Sequence, residues 1–156
     1  MQIQPVLING QWITSTGTTI FQAVNPATKV ELEPEFPVST WDEIEAAIEA
    51  AADAAKAMRG WPGERFAAFL EAYANEIENR ADELVAMAHL ETGYPESPRL
   101  RDGELPRTTN QLRQAAAHAR EGTWTQPTID TAAGICSMFG PIGPVAVFGP
   151  NPKSLE

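Results

Sequence analysis

The sequence predicts an α/β protein: a β-ribbon at the start, helices through the middle, a second ribbon, and a buried strand near the end. Three observations carry that prediction. Asn9-Gly10 stands between two apolar runs, apolar residues recur at helical spacing between about Thr40 and Gly122, and Gly143-Pro144-Val145-Ala146-Val147-Phe148-Gly149 carries no polar side chain. Asn-Gly tolerates positive φ at both positions and is the strongest short hairpin signal. An uncharged run of strand formers suits a parallel strand covered on both faces. With 156 residues, 43% of them hydrophobic, the chain has room for one domain and a sizeable core. The expected order is a ribbon over 1–30, three helices over 40–122, a second ribbon over 123–140 and a single strand over 143–149.

The first ribbon is read from Val6 to Ile13 and from an alternating strand, Ile20 to Val24, that stops at Asn25-Pro26. Pro34 to Pro37 reads as a break. Thr40 and Glu43 then have the spacing of a capping box, a hydroxyl at the helix N-cap and a carboxylate three residues on. Trp41, Ile44, Ile48, Ala51 and Ala55 line one face of the helix that follows, which runs to about Met58. A second, longer stripe of Phe66, Phe69, Leu70, Tyr73, Ile77, Leu84 and Ala88 predicts one helix from Pro62 to about Thr92, closed by Gly93. Leu112, Ala115, Ala116 and Ala119 mark a third helix near 105–120, with Gly122 just beyond it. Thr123, Thr125, Thr128, Ile129 and Thr131 bring back β-formers, and Ile135 to Phe139 is a short apolar run. The strand at 143–149 has no parallel partner elsewhere in the sequence, and such partners need long crossovers, so the chain reads as cut off.

Eleven Lys and Arg stand against 21 Asp and Glu, a net charge of −10 that argues against nucleic acid or an anionic membrane as a general partner. Residues 31–104 alone hold 18 acidic and 6 basic side chains, an excess assigned to solvated helix faces. One cysteine, no secretory leader and no apolar run of membrane-spanning length point to the cytoplasm.

Residue chemistry alone gives no complete active site. His89 and His118 have no ligand partners at metal spacing, so no metal is expected. Cys136 has no activating His in its segment and reads as a small buried cysteine. Glu76, Glu78, Asp82 and Glu83 share a helix surface with Arg80 and read as a solvated face. Neither GxGxxG nor a Walker-type loop is present.

In order along the chain, Ile8-Asn9-Gly10-Gln11-Trp12, Val24-Asn25-Pro26-Ala27-Thr28, Glu64-Arg65, Arg80-Ala81-Asp82-Glu83-Leu84, Leu90-Glu91-Thr92-Gly93 and Gly143 to Pro150 form a series. That series resembles the N-terminal part of the aldehyde dehydrogenase superfamily. Arg107-Thr108-Thr109-Asn110-Gln111-Leu112-Arg113, taken with Gly143 to Gly149, is most similar to the bacterial α-ketoglutaric semialdehyde dehydrogenases. The resemblance implies the N-terminal helical and ribbon portion of that fold, with only the first strand of its Rossmann-like cofactor sheet. It implies a parent enzyme in which a cysteine thiolate attacks an aldehyde, hydride passes to NAD or NADP, and a glutamate-activated water releases the acid.

In the family that cysteine and glutamate lie beyond position 156, so Cys136 does not match the nucleophile. No catalytic residue is expected in this chain and no tight cofactor binding. Phe148, Gly149, Pro150 and Asn151 fall where the family borders the cofactor. The family continues with Pro, a variable residue and Asn-Phe-Pro, its Asn donating to the developing oxyanion. Here Asn151 takes the variable position and Pro152 that of the Asn, so this donor is absent or displaced.

Arg107 and Gln111 fall on the helix that borders the substrate tunnel, where Arg107 suits a carboxylate-bearing aldehyde. The plainer reading pairs Arg107 with Glu104 or solvent. Two functional readings stay open: a truncated, inactive aldehyde dehydrogenase, or a non-catalytic interaction module that associates with full-length subunits. A third, a small enzyme using Cys136 or the histidines, is the weakest. An exposed strand edge at the C-terminal end predicts a homo-oligomer.

Overall fold

The computed structural model describes residues 3–149, which fall into two compact units: 3–58 with 88–94 and 143–149, and 59–87 with 95–142. In the first unit β1 (Val6–Ile8) and β2 (Gln11–Ile13) form an antiparallel hairpin in the register Val6↔Ile13, Leu7↔Trp12, Ile8↔Gln11. Asn9 and Gly10 have φ of 50° and 76°, the pair of positive values that a tight two-residue hairpin turn demands.

The next strand is shorter than its alternation suggests. Only β3 (Ile20–Phe21) is paired, and its partner is β4 (Phe36–Pro37), from the stretch read as a break. Proline is tolerated there because a two-residue edge strand does not need its missing N–H. Phe21 and Phe36 stack with ring centroids 5.5 Å apart. Between these strands Asn25 folds the chain back on itself. Its side-chain oxygen accepts from the Ala27 and Thr28 N–H groups at 2.9 and 3.1 Å, while Val24 bridges Glu31.

Helix α1 (Trp41–Met58) starts at the predicted capping box: the Glu43 N–H donates to the Thr40 hydroxyl at 3.4 Å, and the Thr40 N–H to the Glu43 carboxylate at 3.1 Å. The same carboxylate accepts from the Ser15 hydroxyl at 2.7 Å and the Thr16 N–H at 2.7 Å, tying the segment after β2 to the helix start. These donors, the Thr16 N–H foremost, hold Glu43 down at about 2.

In the second unit the long apolar stripe is carried by two helices, α2 (Gly63–Asn79) and α3 (Ala81–Thr92), whose last turn belongs to the first unit. Arg80 lies between them with φ −106° and ψ 21°, outside the helical region. Its guanidinium meets the Glu83 carboxylate at 2.6 and 3.0 Å, and acidic Asp82 and Glu83 sit in the first turn of α3, where the helix dipole favours negative charge. Periodicity conceals this break because the apolar spacing runs through it and Arg is a good helix former.

After a turn over Glu96–Glu104, in which Ser97 is extended, α4 (Leu105–Glu121) runs back along α2. The pair is antiparallel: Gly63, at the start of α2, meets the end of α4, where an added Cβ would collide with the Ala119 carbonyl oxygen. Ala67, Ala74, Thr109 and Ala116 are fully buried, so the two helices approach through small residues.

A short turn, Thr123–Thr125, leads to the antiparallel hairpin of β5 (Thr128–Asp130) and β6 (Ile135–Ser137), with Ile129 opposite Cys136. The sequence reading of Cys136 as buried is corrected: it is exposed, because a two-stranded ribbon has no layer over it. The sizeable core is corrected too. Among the described residues the buried apolar side chains include Ala67, Ala74, Val85, Leu100 and Ala116, all but Val85 and Leu100 small, while Trp12, Trp41 and Ile129 are about 70% exposed. Gly143–Gly149 joins no strand ladder with any described residue.

Candidate functional site

The start of α4 concentrates cationic chemistry in an otherwise acidic chain. Pro106 lies in the first turn, where its missing N–H costs nothing, and the helix positive end lies beside it. Glu104, just before the helix, is shared by two guanidinium groups: Arg99 Nη2 stands 2.7 Å from one carboxylate oxygen and Arg107 Nη1 3.7 Å from the other. Two cations on one anion leave a net positive group. Arg101 adjoins it in sequence and is occupied by Asp82 at 2.7 Å. The Thr108 hydroxyl is also committed, donating to the Glu104 carbonyl at 2.9 Å.

Arg107 is 69% exposed, and its pairing with Glu104 is long, so the guanidinium keeps donors directed to solvent. Gln111 is exposed one turn further along, and side chains four apart lie on the same helix face. The structure therefore brings Arg107 and Gln111 together on one face, and it also makes the Arg107–Glu104 pair that the plainer reading expects. Arg99 was not singled out from the sequence. No local motif flags it, because its role depends on the extended Ser97 that turns the chain.

What fixes this face is a ladder of ion pairs between α2 and α4. Arg113 donates to both Glu78 oxygens at 2.6 and 2.8 Å and to Asn75 at 2.9 Å. Arg120, seven residues on, grips Glu64 at 2.6 and 3.0 Å and Glu71 at 2.8 and 3.1 Å. Glu64, Glu71 and Glu78 are themselves seven residues apart. The Arg113 hydrogen bonds, helped by Thr109, hold Glu78 down at about 2, and those of Arg120 lower Glu64 and Glu71. Both guanidinium groups are shifted upward by the same bonds. Glu78 is exposed, as the solvated-face reading expects, and it also pairs across to α4. The heptad spacing on both helices was the signal that could have shown this.

Of the residues expected to border a cofactor, Phe148 and Gly149 lie within the described part of the chain. Val147 and Phe148 are 88% and 92% exposed, Gly149 is exposed, and Pro150, Asn151 and Pro152 lie outside the described residues. Among the described residues no cluster of three His, Cys, Asp or Glu could hold a metal. His89 Nδ1 lies 2.6 Å from the Tyr94 carbonyl oxygen, closing the end of α3, and His118 Nδ1 lies 4.0 Å from Glu121. Among the described residues no helix is long and apolar enough to cross a membrane.

Comparison with known proteins bears on all of these elements together. α-Ketoglutaric semialdehyde dehydrogenase 2 of Azospirillum brasilense is 36% identical over 154 residues, which cover 92% of this chain and 29% of that enzyme. α-Ketoglutaric semialdehyde dehydrogenase of Acinetobacter baylyi is 34% identical over 151 residues, covering 91% of this chain and 28% of the relative. The chain thus spans less than a third of the length of the curated relatives it matches. Among solved structures, lactaldehyde dehydrogenase from Escherichia coli superposes with a TM-score of 0.69 at 28% identity, over 76% of this chain and 24% of that one. An NAD-dependent benzaldehyde dehydrogenase from Corynebacterium glutamicum shares the fold, with a TM-score of 0.70 at 23% identity over 81% of this chain and 26% of that one. The hairpin, the helices and the second ribbon are accordingly those of the N-terminal part of one fold. The sequence profile described as the aldehyde dehydrogenase family matches residues 12–151, nearly the whole length, and the chain belongs to that family.

Proposed function

We propose that this chain forms the N-terminal portion of an aldehyde dehydrogenase that oxidises an acidic semialdehyde, α-ketoglutaric semialdehyde, to the carboxylic acid with NAD or NADP, and that the chain alone does not turn over. The observation that carries the reading is the 36% identity to an α-ketoglutaric semialdehyde dehydrogenase across 92% of the chain. The nicotinamide cofactor supplies hydride acceptance when bound to the complete fold. This chain's own part is to hold the substrate's far end: Arg107 offers a guanidinium to the distal carboxylate, Gln111 adds a neutral donor one turn on, and the α2–α4 ladder keeps their face in place. The reaction takes place in the cytoplasm, in a homo-oligomer whose contacts include the β5–β6 hairpin.

Inactivity of the chain alone rests on what it offers chemically. The free thiol of Cys136 is exposed on a two-stranded ribbon, with no described histidine or carboxylate hydrogen-bonded to it. Purified chain incubated with α-ketoglutaric semialdehyde and NAD or NADP should form no NADH or NADPH, and Cys136→Ser should match it. Turnover that disappears in Cys136→Ser would overturn the proposal.

A further inference from the structure

Asn9 and Gly10 form the whole connection between β1 and β2, and both are exposed. A side chain built at Gly10 would meet nothing within 4 Å. Among the described residues no hydrogen bond engages the Asn9 carboxamide or the Gly10 N–H. Glycine has no Cβ to shield its amide nitrogen, so that nitrogen is free to approach the side-chain carbonyl carbon of an asparagine just before it.

We propose that Asn9 is a spontaneous modification site, at which the chain converts its own asparagine through a cyclic imide into aspartate and isoaspartate. The Gly10 nitrogen gives its proton to solvent base and bonds to Asn9 Cγ; the Cγ–Nδ2 bond breaks, and ammonia leaves carrying a proton from solvent. Water then opens the imide. Entry at Cγ gives aspartate, entry at the main-chain carbonyl carbon gives isoaspartate, and either product gains one carboxylate without any oxidant or reductant.

The structure separates Asn9 from the other asparagines it describes. Asn25 precedes Pro26, which has no N–H to become the nucleophile. Asn75 and Asn110 lie inside α2 and α4, where the following N–H belongs to the helix ladder. After Asn79, the Arg80 N–H donates to the Glu76 carbonyl at 3.2 Å. Attack at Asn9 requires the peptide to swing out of the turn, and little resists that motion. The strands on either side have three residues each, and the facing Leu7 and Trp12 are 55% and 69% exposed. Isoaspartate sends the main chain through Cβ. The extra backbone atom does not fit a two-residue turn that holds Ile8 opposite Gln11, so the modified hairpin loses its register. This chemistry is independent of the oxidation proposed for the complete enzyme.

The test incubates the purified whole chain at physiological temperature over a range of pH and maps each asparagine by proteolysis and mass spectrometry, with electron-based fragmentation to tell isoaspartate from aspartate. Asn9 should lose its amide about tenfold faster than Asn25, Asn75, Asn79 or Asn110, because Gly10 alone offers an unhindered, unbonded N–H. The rate should rise with pH, isoaspartate should be among the products, and amide exchange over 6–13 should quicken in the modified fraction. Asn9→Gln, which must close a larger ring, should remove this isoaspartate and leave the helical circular dichroism unchanged. Loss at Asn9 no faster than at the other asparagines would overturn the proposal. So would aspartate formed without isoaspartate, or isoaspartate that persists at position 9–10 in Asn9→Gln.

Discussion

Glu43 joins two parts of the chain that no local pattern relates. As a capping-box carboxylate it was legible three residues after Thr40, but its stronger engagement is with Ser15 and Thr16, 28 and 27 positions earlier. These bonds favour the ionised form and set its pH dependence. The folded value is about 2 against an ordinary 4.5, so the stabilisation is complete above 4.5 and drains away as pH falls toward 2. Glu78, also held at about 2, acts in the same sense through Arg113. Carboxyl-resolved NMR titration should place both midpoints near 2. Glu43→Gln should flatten the acid limb of the stability curve, and a Glu43 midpoint near 4.5 would mean that the Thr16 and Ser15 bonds are not made. Arg107 is a residue-scale matter as well. A charge-assisted hydrogen bond to a substrate carboxylate contributes about 1.5–3 kcal/mol. In a chimera carrying this chain in place of the matching segment of the Azospirillum brasilense enzyme, Arg107→Ala should therefore lower kcat/KM for acidic semialdehydes by roughly 10–100-fold and leave neutral aldehydes unchanged. An equal loss for both classes would return Arg107 to its plain role beside Glu104.

At the scale of elements, helices and hairpins were readable wherever a local rule sufficed. Asn9-Gly10 demanded positive φ, Thr40-Glu43 capped α1, and the apolar stripes located the helical stretches. The rule failed where the deciding partner was distant. Phe36–Pro37 becomes a strand only because Ile20–Phe21 lies beside it, and the long stripe divides at Arg80, whose backbone departs from the helix while apolar spacing continues. The α2–α4 contact shows the same dependence. Gly63 looks like a poor helix residue by propensity, yet any side chain there would strike the Ala119 carbonyl. Gly63→Ala should cost about 1–3 kcal/mol by overpacking, although Ala is the better helix former. Thermal unfolding checks this, and a variant as stable as the parent would show that the helices are not in close contact there.

At the scale of the whole molecule, composition promised more burial than the chain achieves. Large apolar side chains sit on the right faces of their elements, but those faces remain open: Ile129, Ile135, Met138 and Phe139, on and just after the β5–β6 hairpin, are 59–73% exposed. Exposed edges and apolar side chains of this kind favour association, opposed by the −10 charge and aided by salt that screens it. Sedimentation at rising concentration should show self-association of the whole chain that strengthens with ionic strength and disappears in a chain ending at Gly122. A monomer at every concentration and salt would remove the hairpin as a contact surface.

The sequence by itself determined the family, the order of ribbon and helices, the turn at Asn9-Gly10 and the cap at Thr40, because each depends on residues close together in the chain. Only tertiary structure decided that Glu78 belongs to Arg113 and Glu64 with Glu71 to Arg120, that Glu104 is shared by Arg99 and Arg107, and that Cys136 and Val147 are bare. The physical reason is common to all of them. Ion pairing and burial depend on what the fold brings alongside a residue, and the spacing of its sequence neighbours does not contain that information.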